Sequence, residues 1–327
     1  MVSTLGSFGE KKVIETIIKA IRKRKLPLEI GDDATAITVA SKYILFKIDT
    51  IVGKYSLLPG MNYRDLGWRI VTAAVSDIVV KGGRPLSLLM SITAPSDLEL
   101  EKLIDIMKGA DEAAEFYGTY IDGGDTNEGS ELVLSCACIG SANKVIKRNP
   151  LREGDVIAVS GFFGYTGLGF QYLLEKKELP PSIKNVVLSK TYRPIARLDL
   201  VNVLEESSEY IRSSIDSSDG LAESLYQLIK CTGEGGIIVD NLPVHTTILN
   251  AIQDFDRLLR AVFYGGEEFE IIIAVKRGFE NKVKKIFEKY NKDLIFIGNY
   301  RHKLDGVYFM KDQKRIHIER KGWEYFS

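Results

Sequence analysis

The sequence predicts an α/β protein with mixed α+β sheets, folded as two domains. The chain has 327 residues, which is enough for roughly two domains with separate cores. In both halves, short apolar segments typical of strands alternate with segments of helical periodicity. Between the halves, around residues 141–154, the pattern gives way to a polar, basic connector. We therefore predict domains at 1–147 and 148–327.

The composition excludes several classes of protein. Lys plus Arg and Asp plus Glu number 44 each, so no net positive field draws the chain to nucleic acid. No apolar run approaches the ~20 residues of a membrane span, and the N-terminus lacks a signal-peptide pattern. Cys136, Cys138 and Cys231 are too few for a disulfide framework and suit a reducing compartment. Cys136 and Cys138 lie two apart in an apolar run, so we expect both to be buried on one face of a strand. We expect a cytoplasmic protein that binds neither membrane nor nucleic acid.

Helices and strands alternate through the first half. Apolar residues at helical spacing over residues 8–25 predict a helix that Pro27 ends. Asn62 is a typical N-cap for a helix that Gly82 and Gly83 close, and Ser96 is the expected cap of the next one. The predicted elements are helix 8–25, strands 35–39 and 43–48, helix 63–81, strand 86–93, helix 96–117, a short strand from Tyr120, and strand 132–139.

The second half repeats this alternation, with a loose loop expected at residues 178–186. The predicted elements are strand 155–160, a helix that follows the glycine-rich turn 161–169, helix 194–206, strand 210–215, helix 220–231, strands 236–239 and 269–275, helix 278–290, and strands near 294–297 and 306–309.

The glycine-rich turn Gly161-x-x-Gly164-x-x-Gly167 follows a strand and opens a helix. It lacks the G-x-G start of a dinucleotide-binding turn. Two uses remain open: backbone N–H groups that face an anion, or simply a tight turn. The sequence also lacks a P-loop and the glycine loop of protein kinases, so a nucleotide site would be of another kind.

The stretch from Tyr120 to Gly129 is the most informative. Gly123 and Gly124 let the backbone turn tightly and approach a ligand. Asp125 and Thr126 offer hard oxygens where we expect the strand to end. The same arrangement, an apolar run ended by aspartate beside Gly, Ser or Thr, recurs along the chain. The aspartates in such settings are Asp32, Asp33, Asp49, Asp77, Asp125, Asp216 and Asp219.

Singly, each of these aspartates suits a turn or a helix cap. Together they indicate one Mg²⁺ site, because buried carboxylates are normally paired or metal-bound. Mg²⁺ takes few protein carboxylates and completes its coordination with water and phosphate. The pattern therefore favours a nucleotide triphosphate and phosphoryl transfer.

The ordered set of motifs resembles the thiamine-monophosphate kinase family along nearly the whole chain. The motifs are Leu5–Gly9, Gly31–Ala34, the helix from Leu66 to Ile78, Gly82–Pro85, Gly123–Thr126, Asp216–Leu221, Gly265–Glu270 and Lys321–Phe326. The resemblance implies the two-domain fold of aminoimidazole ribonucleotide synthetase, with N-terminal strands that form a barrel across a homodimer. It also implies ATP- and Mg²⁺-dependent phosphorylation of thiamine monophosphate, by direct in-line transfer, to give thiamine diphosphate and ADP.

The resemblance further implies a role for individual residues. Catalytic roles fall to Asp219, Arg148 and Asp125. Nucleotide-binding roles fall to Asp32, Thr50, Gly123, Gly124, Asp125, Arg148 and Ser218. Substrate-binding roles fall to Trp323, Asp216 and Tyr55. Metal-binding roles fall to Asp32, Asp33, Asp49, Thr50, Asp77, Asp125, Asp216 and Asp219.

The predicted reaction needs no general base. A phosphate monoester has its second pKa at about 6, so its attacking oxygen is already ionised at neutral pH. Accordingly, none of the three histidines lies beside an aspartate motif. The run Ile51–Ser56 departs from the family pattern because it lacks a glutamate and a histidine. Two alternatives stay open: a sister ATP-dependent synthetase of the same fold, and a catalytically silent dimeric member that binds ligands.

Overall fold

Two mixed β-sheets with packed helices form the protein, which confirms the predicted fold class. The structure is a computed structural model that describes residues 10–20, 25–28 and 31–322. The strands are β1 (Thr35–Val39), β2 (Lys42–Val52), β3 (Arg84–Ala94), β4 (Ile121–Glu128), β5 (Val133–Ala142), β6 (Val156–Val159), β7 (Ile211–Asp216), β8 (Gly236–Val239), β9 (Ile271–Val275), β10 (Ile295–Arg301), β11 (Gly306–Lys311) and β12 (Lys314–Ile318). The helices are α1 (Glu10–Ala20), α2 (Gly53–Ser56), α3 (Tyr63–Val80), α4 (Leu100–Phe116), α5 (Tyr165–Leu173), α6 (Pro181–Tyr192), α7 (Val201–Ser207), α8 (Leu221–Thr232), α9 (Thr246–Ala251), α10 (Phe255–Tyr264) and α11 (Glu280–Lys289).

The first sheet has five strands in the order β1-β2-β5-β3-β4. Only β3 and β4 run parallel; the other neighbours are antiparallel. Its inner face packs against helices, and Cys136 and Cys138 are buried there, as predicted. Within the described residues the sheet ends at β1 on one side and at β4 on the other. One chain therefore does not show the barrel that was predicted across a dimer.

The second sheet has seven strands in the order β12-β11-β8-β10-β6-β9-β7 and is also mixed, because β11 and β8 run parallel. The domain boundary predicted after Lys147 falls in the connection between the two sheets and stays a prediction. Of the helices in the described part of the chain, none is both long and apolar enough to cross a lipid bilayer.

Helix α3 is the element that joins the two sheets. It begins at Asn62, as predicted, where the Asn62 side chain accepts a hydrogen bond from the Asp65 N–H at 2.8 Å in a capping box. Nearly all of the helix is buried, because it packs on the first sheet and also contacts β7 of the second. Helix α4 crosses it closely: a Cβ on Gly67 would collide with the backbone of Ile106, and one on Gly109 with that of Arg64. This crossing fixes the position of α3 and of its polar side chains.

Strand β4 is longer than predicted. It continues through Gly123, Gly124, Asp125 and Thr126 instead of ending there, because these residues pair with β3. A Cβ on Gly124 would collide with the backbone carbonyl of Met90, so the glycine allows a close approach of two strands and not a turn.

Three predictions about helices in the described chain were also wrong. Helix α4 begins after Glu99 and not at Ser96. Residues 181–192 form α6 where a loop was expected, because Pro181 occupies the first turn of the helix, where its missing N–H has no intrahelical role. The next helix, α7, begins only at Val201.

We predict that Gly109→Ala destabilises the protein, although alanine is the better helix former by about 1 kcal/mol. The added methyl group would strike the backbone of α3, and overpacking of this kind costs about 1–3 kcal/mol. Urea unfolding would measure the loss. Lys108→Ala, at an exposed position on the same helix, is the matched control. A Gly109→Ala variant at least as stable as the wild type would contradict the close crossing.

Candidate active site

Five of the predicted aspartates meet where the two sheets approach each other. They line a cavity of about 390 Å³, which Ser218 and Asp219 also line. The five are Asp32 and Asp33 before β1, Asp49 on β2, Asp77 on α3 and Asp216 at the end of β7. Carboxylate oxygens of Asp33, Asp77 and Asp216 lie within 4.8 Å of one another. The convergence that the sequence predicted is therefore present for these five, and Asp219 is a sixth predicted aspartate on the wall of the same cavity.

Three fixed cations are built into this carboxylate cluster. The fully buried Lys81 places its Nζ 2.6 Å from Asp32 Oδ1 and 2.7 Å from Asp33 Oδ2. Arg148 forms an ion pair with Asp33, and its backbone N–H donates to Asp32 Oδ2 at 3.0 Å. Lys47 lies at 2.5 Å from Asp77 Oδ2 and 3.2 Å from Asp49 Oδ1. Arg148, predicted to face phosphate, is thus tied to the cluster itself.

The charges of the cluster are unevenly balanced. Burial alone would raise the pKa of Asp33, but the Lys81 and Arg148 charges outweigh it and hold that pKa below its ordinary value. Burial raises the pKa of Asp77 well above its ordinary value, and the Asp216 and Asp49 carboxylates add to the rise despite Lys47. Burial and the Asp33 carboxylate raise the pKa of Asp216 to about 6. Asp77 and Asp216 are therefore the carboxyl groups of the cluster whose ionised forms the surrounding protein stabilises least.

The donor atoms of the cluster fit a magnesium ion. They are carboxylate oxygens, the hard ligands that Mg²⁺ prefers. Among the described residues, none donates a hydrogen bond to the buried Oδ2 of Asp49. Ser76 orients Asp216 by donating a hydrogen bond to its Oδ2 at 2.7 Å. Asp33, Asp49, Asp77 and Asp216 are thus the residues that could hold the ion.

Other predicted site residues lie apart from the cluster within one chain. Thr50 points to the opposite face of the first sheet from Asp49, because side chains alternate along β2, and its Oγ1 lies 2.8 Å from Ser135 Oγ. Gly123, Gly124 and Asp125 lie on the edge strand β4, and Asp125 is exposed. Since β5 and β3 separate β4 from β2, the distance is three strand spacings, or roughly 14 Å.

The predicted substrate residues divide in the same way. Asp216 lies inside the cluster. Tyr55 lies on the short helix α2, is exposed, and is not among the described residues that line the cavity. Trp323 lies outside the described residues.

Sequence reasoning missed two of the three cations. Lys47 carried a usable signal, since it lies two residues before Asp49 on a strand and so shares its face. Lys81 carried none: a lysine after the last turn of a helix is ordinary on electrostatic grounds alone. Its partners come from distant parts of the chain, including the carbonyl of Ser214, to which it donates at 2.7 Å.

The N-terminus of α5 faces the side chain of Glu268 and not an external anion. Glu268 Oε1 accepts hydrogen bonds from the N–H groups of Gly164 at 2.7 Å and Thr166 at 3.1 Å. The glycine-rich turn therefore serves a buried side chain of the same chain. Burial, with a smaller contribution from the Glu270 carboxylate, raises the pKa of Glu268 to about 7, although the Thr166 N–H opposes the shift.

Comparison with known proteins assigns this architecture to a class. Residues 31–142, which contain the whole first sheet, match the family described as "AIR synthase related protein, N-terminal domain". The thiamine-monophosphate kinase of Nitrosopumilus maritimus is 32% identical over 317 residues, which cover 96% of this chain and 99% of that protein. The enzyme of the same name from Pyrococcus horikoshii is 29% identical, over 97% of this chain and 96% of that one. The chain belongs to the thiamine-monophosphate kinase family.

A solved structure gives the same result for the fold. The structure described as "AaThiL complexed with AMPPCP and TMP" superposes with a TM-score of 0.83 at 26% identity, and the match covers 99% of each chain. The fold of both sheets is therefore that of a protein that binds these two ligands.

We predict that Glu268→Gln changes the pH dependence of stability. Because the folded-state pKa of Glu268 is raised to about 7, its ionisation opposes folding, and this loss grows as pH rises from about 4.5 and is complete above about 7. Glutamine keeps the acceptor oxygen without the charge. The variant should match the wild type near pH 4.5 and exceed it by about 2–3 kcal/mol at pH 8.

Urea unfolding at the two pH values would measure this difference. Glu101→Gln, at an exposed position on α4, is the control and should show no such trend. A Glu268→Gln variant that gains nothing at the higher pH would show that the buried carboxylate is stabilised by its N–H donors at all pH values.

Proposed function

We propose that this protein transfers the γ-phosphoryl group of ATP to the phosphate of thiamine monophosphate, giving thiamine diphosphate and ADP. The observation that carries the proposal is the convergence of five aspartates between the two sheets in a chain of this family. The relative that holds AMPPCP and TMP supports the choice of both substrates, because its fold is shared over nearly the whole chain.

The carboxylate cluster would bring Mg²⁺ to the phosphates. Asp33, Asp49, Asp77 and Asp216 would hold the ion, as their oxygens permit. Bound Mg²⁺ supplies charge neutralisation for phosphate groups and polarises phosphoryl oxygens. Ser76 keeps Asp216 in one orientation through its hydrogen bond. The burial of Asp77 and Asp216 excludes competing water, which strengthens their electrostatic effect on bound phosphate.

The cluster needs to supply no base. The substrate phosphate is already ionised at neutral pH, so transfer depends on positioning and charge. Arg148 lines the cavity and forms an ion pair with Asp33, and from there its guanidinium would neutralise phosphate charge. Asp219 and Ser218 line the same cavity from the second domain. We propose on this basis that Asp219 adds a carboxylate to the metal site and that Ser218 contacts the phosphates of the nucleotide.

Trp323 is proposed to cover the ring of the substrate. Support comes from Gly322, the last described residue before it: a Cβ built there would lie 2.7 Å from the carbonyl oxygen of Asp219. Arg320 holds this end of the chain by contacts of 3.1 and 3.0 Å to the carboxylate of Glu223. Gly322 itself is therefore next to Asp219, which lines the cavity. Tyr55 stays a proposed substrate contact with no such support.

A homodimer would bring the remaining predicted residues to the site. The first sheet ends at the exposed strand β4, which carries Asp125 and the two glycines, and a free strand edge is suited to pairing with a second chain. On the first sheet, the apolar side chains of Ile48, Leu89 and Tyr120 are also exposed. We propose that Asp125 of the partner subunit, with Gly123 and Gly124 beside it, completes the nucleotide site across a barrel shared by two chains.

A direct assay tests the reaction. With ATP, Mg²⁺ and thiamine monophosphate, the wild type should form thiamine diphosphate, detectable by chromatography. Asp77→Asn should lower the turnover by about 10²–10³-fold, because it removes one charge that positions the metal and phosphates. Its circular dichroism spectrum should match that of the wild type. If ATP binds and no thiamine diphosphate forms, the protein is a silent family member or a sister synthetase.

Mixing two inactive variants tests the placement of Asp125. Dimers formed from Asp125→Asn and Asp216→Asn chains should contain one intact site if Asp125 acts across the subunit boundary. Random reassembly should then restore about a quarter of the wild-type activity. A mixture of Asp77→Asn and Asp216→Asn, which share one cluster, is the control and should stay inactive. An inactive test mixture with verified mixed dimers would contradict the shared site.

A further inference from the structure

Lys47 occupies an unusual position for a lysine. It projects from β2 on the same face as Asp49 and reaches α3, where its Nζ lies 2.5 Å from Asp77 Oδ2. The same atom is 3.2 Å from Asp49 Oδ1. The ammonium group thus lies between two carboxylates that the proposed reaction assigns to metal binding.

Lys47 differs in this respect from Lys81. Lys81 is fully buried, and its ammonium reaches three oxygens, from Asp32, Asp33 and the carbonyl of Ser214. Those contacts account for all three of its N–H donors, so it serves as a link between chain segments. The side chain of Lys47 is 23% exposed and lines the cavity itself. Its ammonium group therefore occupies the position that a cation bound by the carboxylates would occupy.

The charge of the cluster limits how many ions it can take. Six aspartates line the cavity and face three fixed cations, which leaves three negative charges when all six are ionised. One divalent ion neutralises two of these charges. Without the Lys47 charge, the excess of negative charge would be larger. Asp77 and Asp49 would carry part of it, and no described residue donates a hydrogen bond to Asp49 Oδ2.

We propose that the Lys47 ammonium takes the place of one divalent cation between Asp49 and Asp77, so that its removal lets the nucleotide-free chain bind one ion more. The inference rests on the metal site of the proposed function. It explains how closely spaced buried carboxylates remain folded together before any ion binds, because a fixed internal cation spares them from mutual repulsion.

The test counts Mn²⁺ ions bound to the full-length chain without nucleotide, by electron paramagnetic resonance of the free ion. Lys47→Met keeps an unbranched side chain of similar length and removes the charge. We expect this variant to bind one more Mn²⁺ per chain than the wild type. Lys42→Met, on an exposed position of the same strand, is the control and should leave the count unchanged.

Thermal unfolding gives a second readout that does not depend on activity. In EDTA, the midpoint for Lys47→Met should fall below that of the wild type by several degrees, because a buried carboxylate loses its partner. Added Mn²⁺ should restore it. An unchanged or lower Mn²⁺ count in Lys47→Met, or a fall in its midpoint that Mn²⁺ does not reverse, would overturn the proposal.

A double variant keeps the test open if Lys47→Met does not fold even in Mn²⁺. Lys47→Met with Asp77→Asn removes the ammonium and one carboxylate together, so we expect a chain that folds in EDTA and binds no more ions than the wild type. An unfolded double variant would refute the proposal that the Lys47 ammonium takes the place of a divalent cation. The Mn²⁺ count uses no thiamine monophosphate. A result that contradicts the Lys47 proposal would therefore leave the proposed kinase activity untouched, and a negative kinase assay would leave the Lys47 proposal untouched.

Discussion

The buried ammonium of Lys81 is the interaction on which the rest of the site depends. It lies at the C-terminal end of α3 and joins the segment before β1, through Asp32 and Asp33, to the backbone of β7, through Ser214. Ser214 returns a hydrogen bond from its Oγ to the carbonyl of Val80 at 2.8 Å. Loss of one partner from a buried ion pair typically costs about 3–5 kcal/mol, because the remaining buried charge is left uncompensated. The relative positions of Asp32, Asp33, Asp77 and Asp216 follow from it, because the segment before β1, the end of α3 and strand β7 meet at this ammonium.

Local features were readable from the sequence, and contacts between distant segments were not. The cap at Asn62, the strand at Gly236–Val239 and the burial of Cys136 and Cys138 follow from neighbouring residues, and the structure has them as predicted. The aspartate motifs predicted a cluster because buried carboxylates are normally paired with a cation or bound to a metal.

The same motifs could not say which aspartates share one chain's cluster. Asp125 sits in a motif of the same kind as that of Asp49, yet strand order places it at the far edge of the sheet. Strand order depends on pairing between remote segments, which no local pattern encodes. Likewise, Gly123 and Gly124 look like a turn in the sequence, and only the neighbouring backbone of β3 shows that they are needed inside a strand.

The crossing of α3 and α4 has a consequence for the evolution of this fold. At Gly67 and at Gly109, the obstacle to any larger side chain is a main-chain carbonyl of the other helix. A smaller residue opposite cannot make room, since every amino acid carries that carbonyl. In most protein cores, a larger side chain at one position can be accommodated by a smaller one at a neighbouring position. That compensation is not available at these two glycines. These two sites should therefore resist replacement even in lineages where the acceptor-binding residues have diverged.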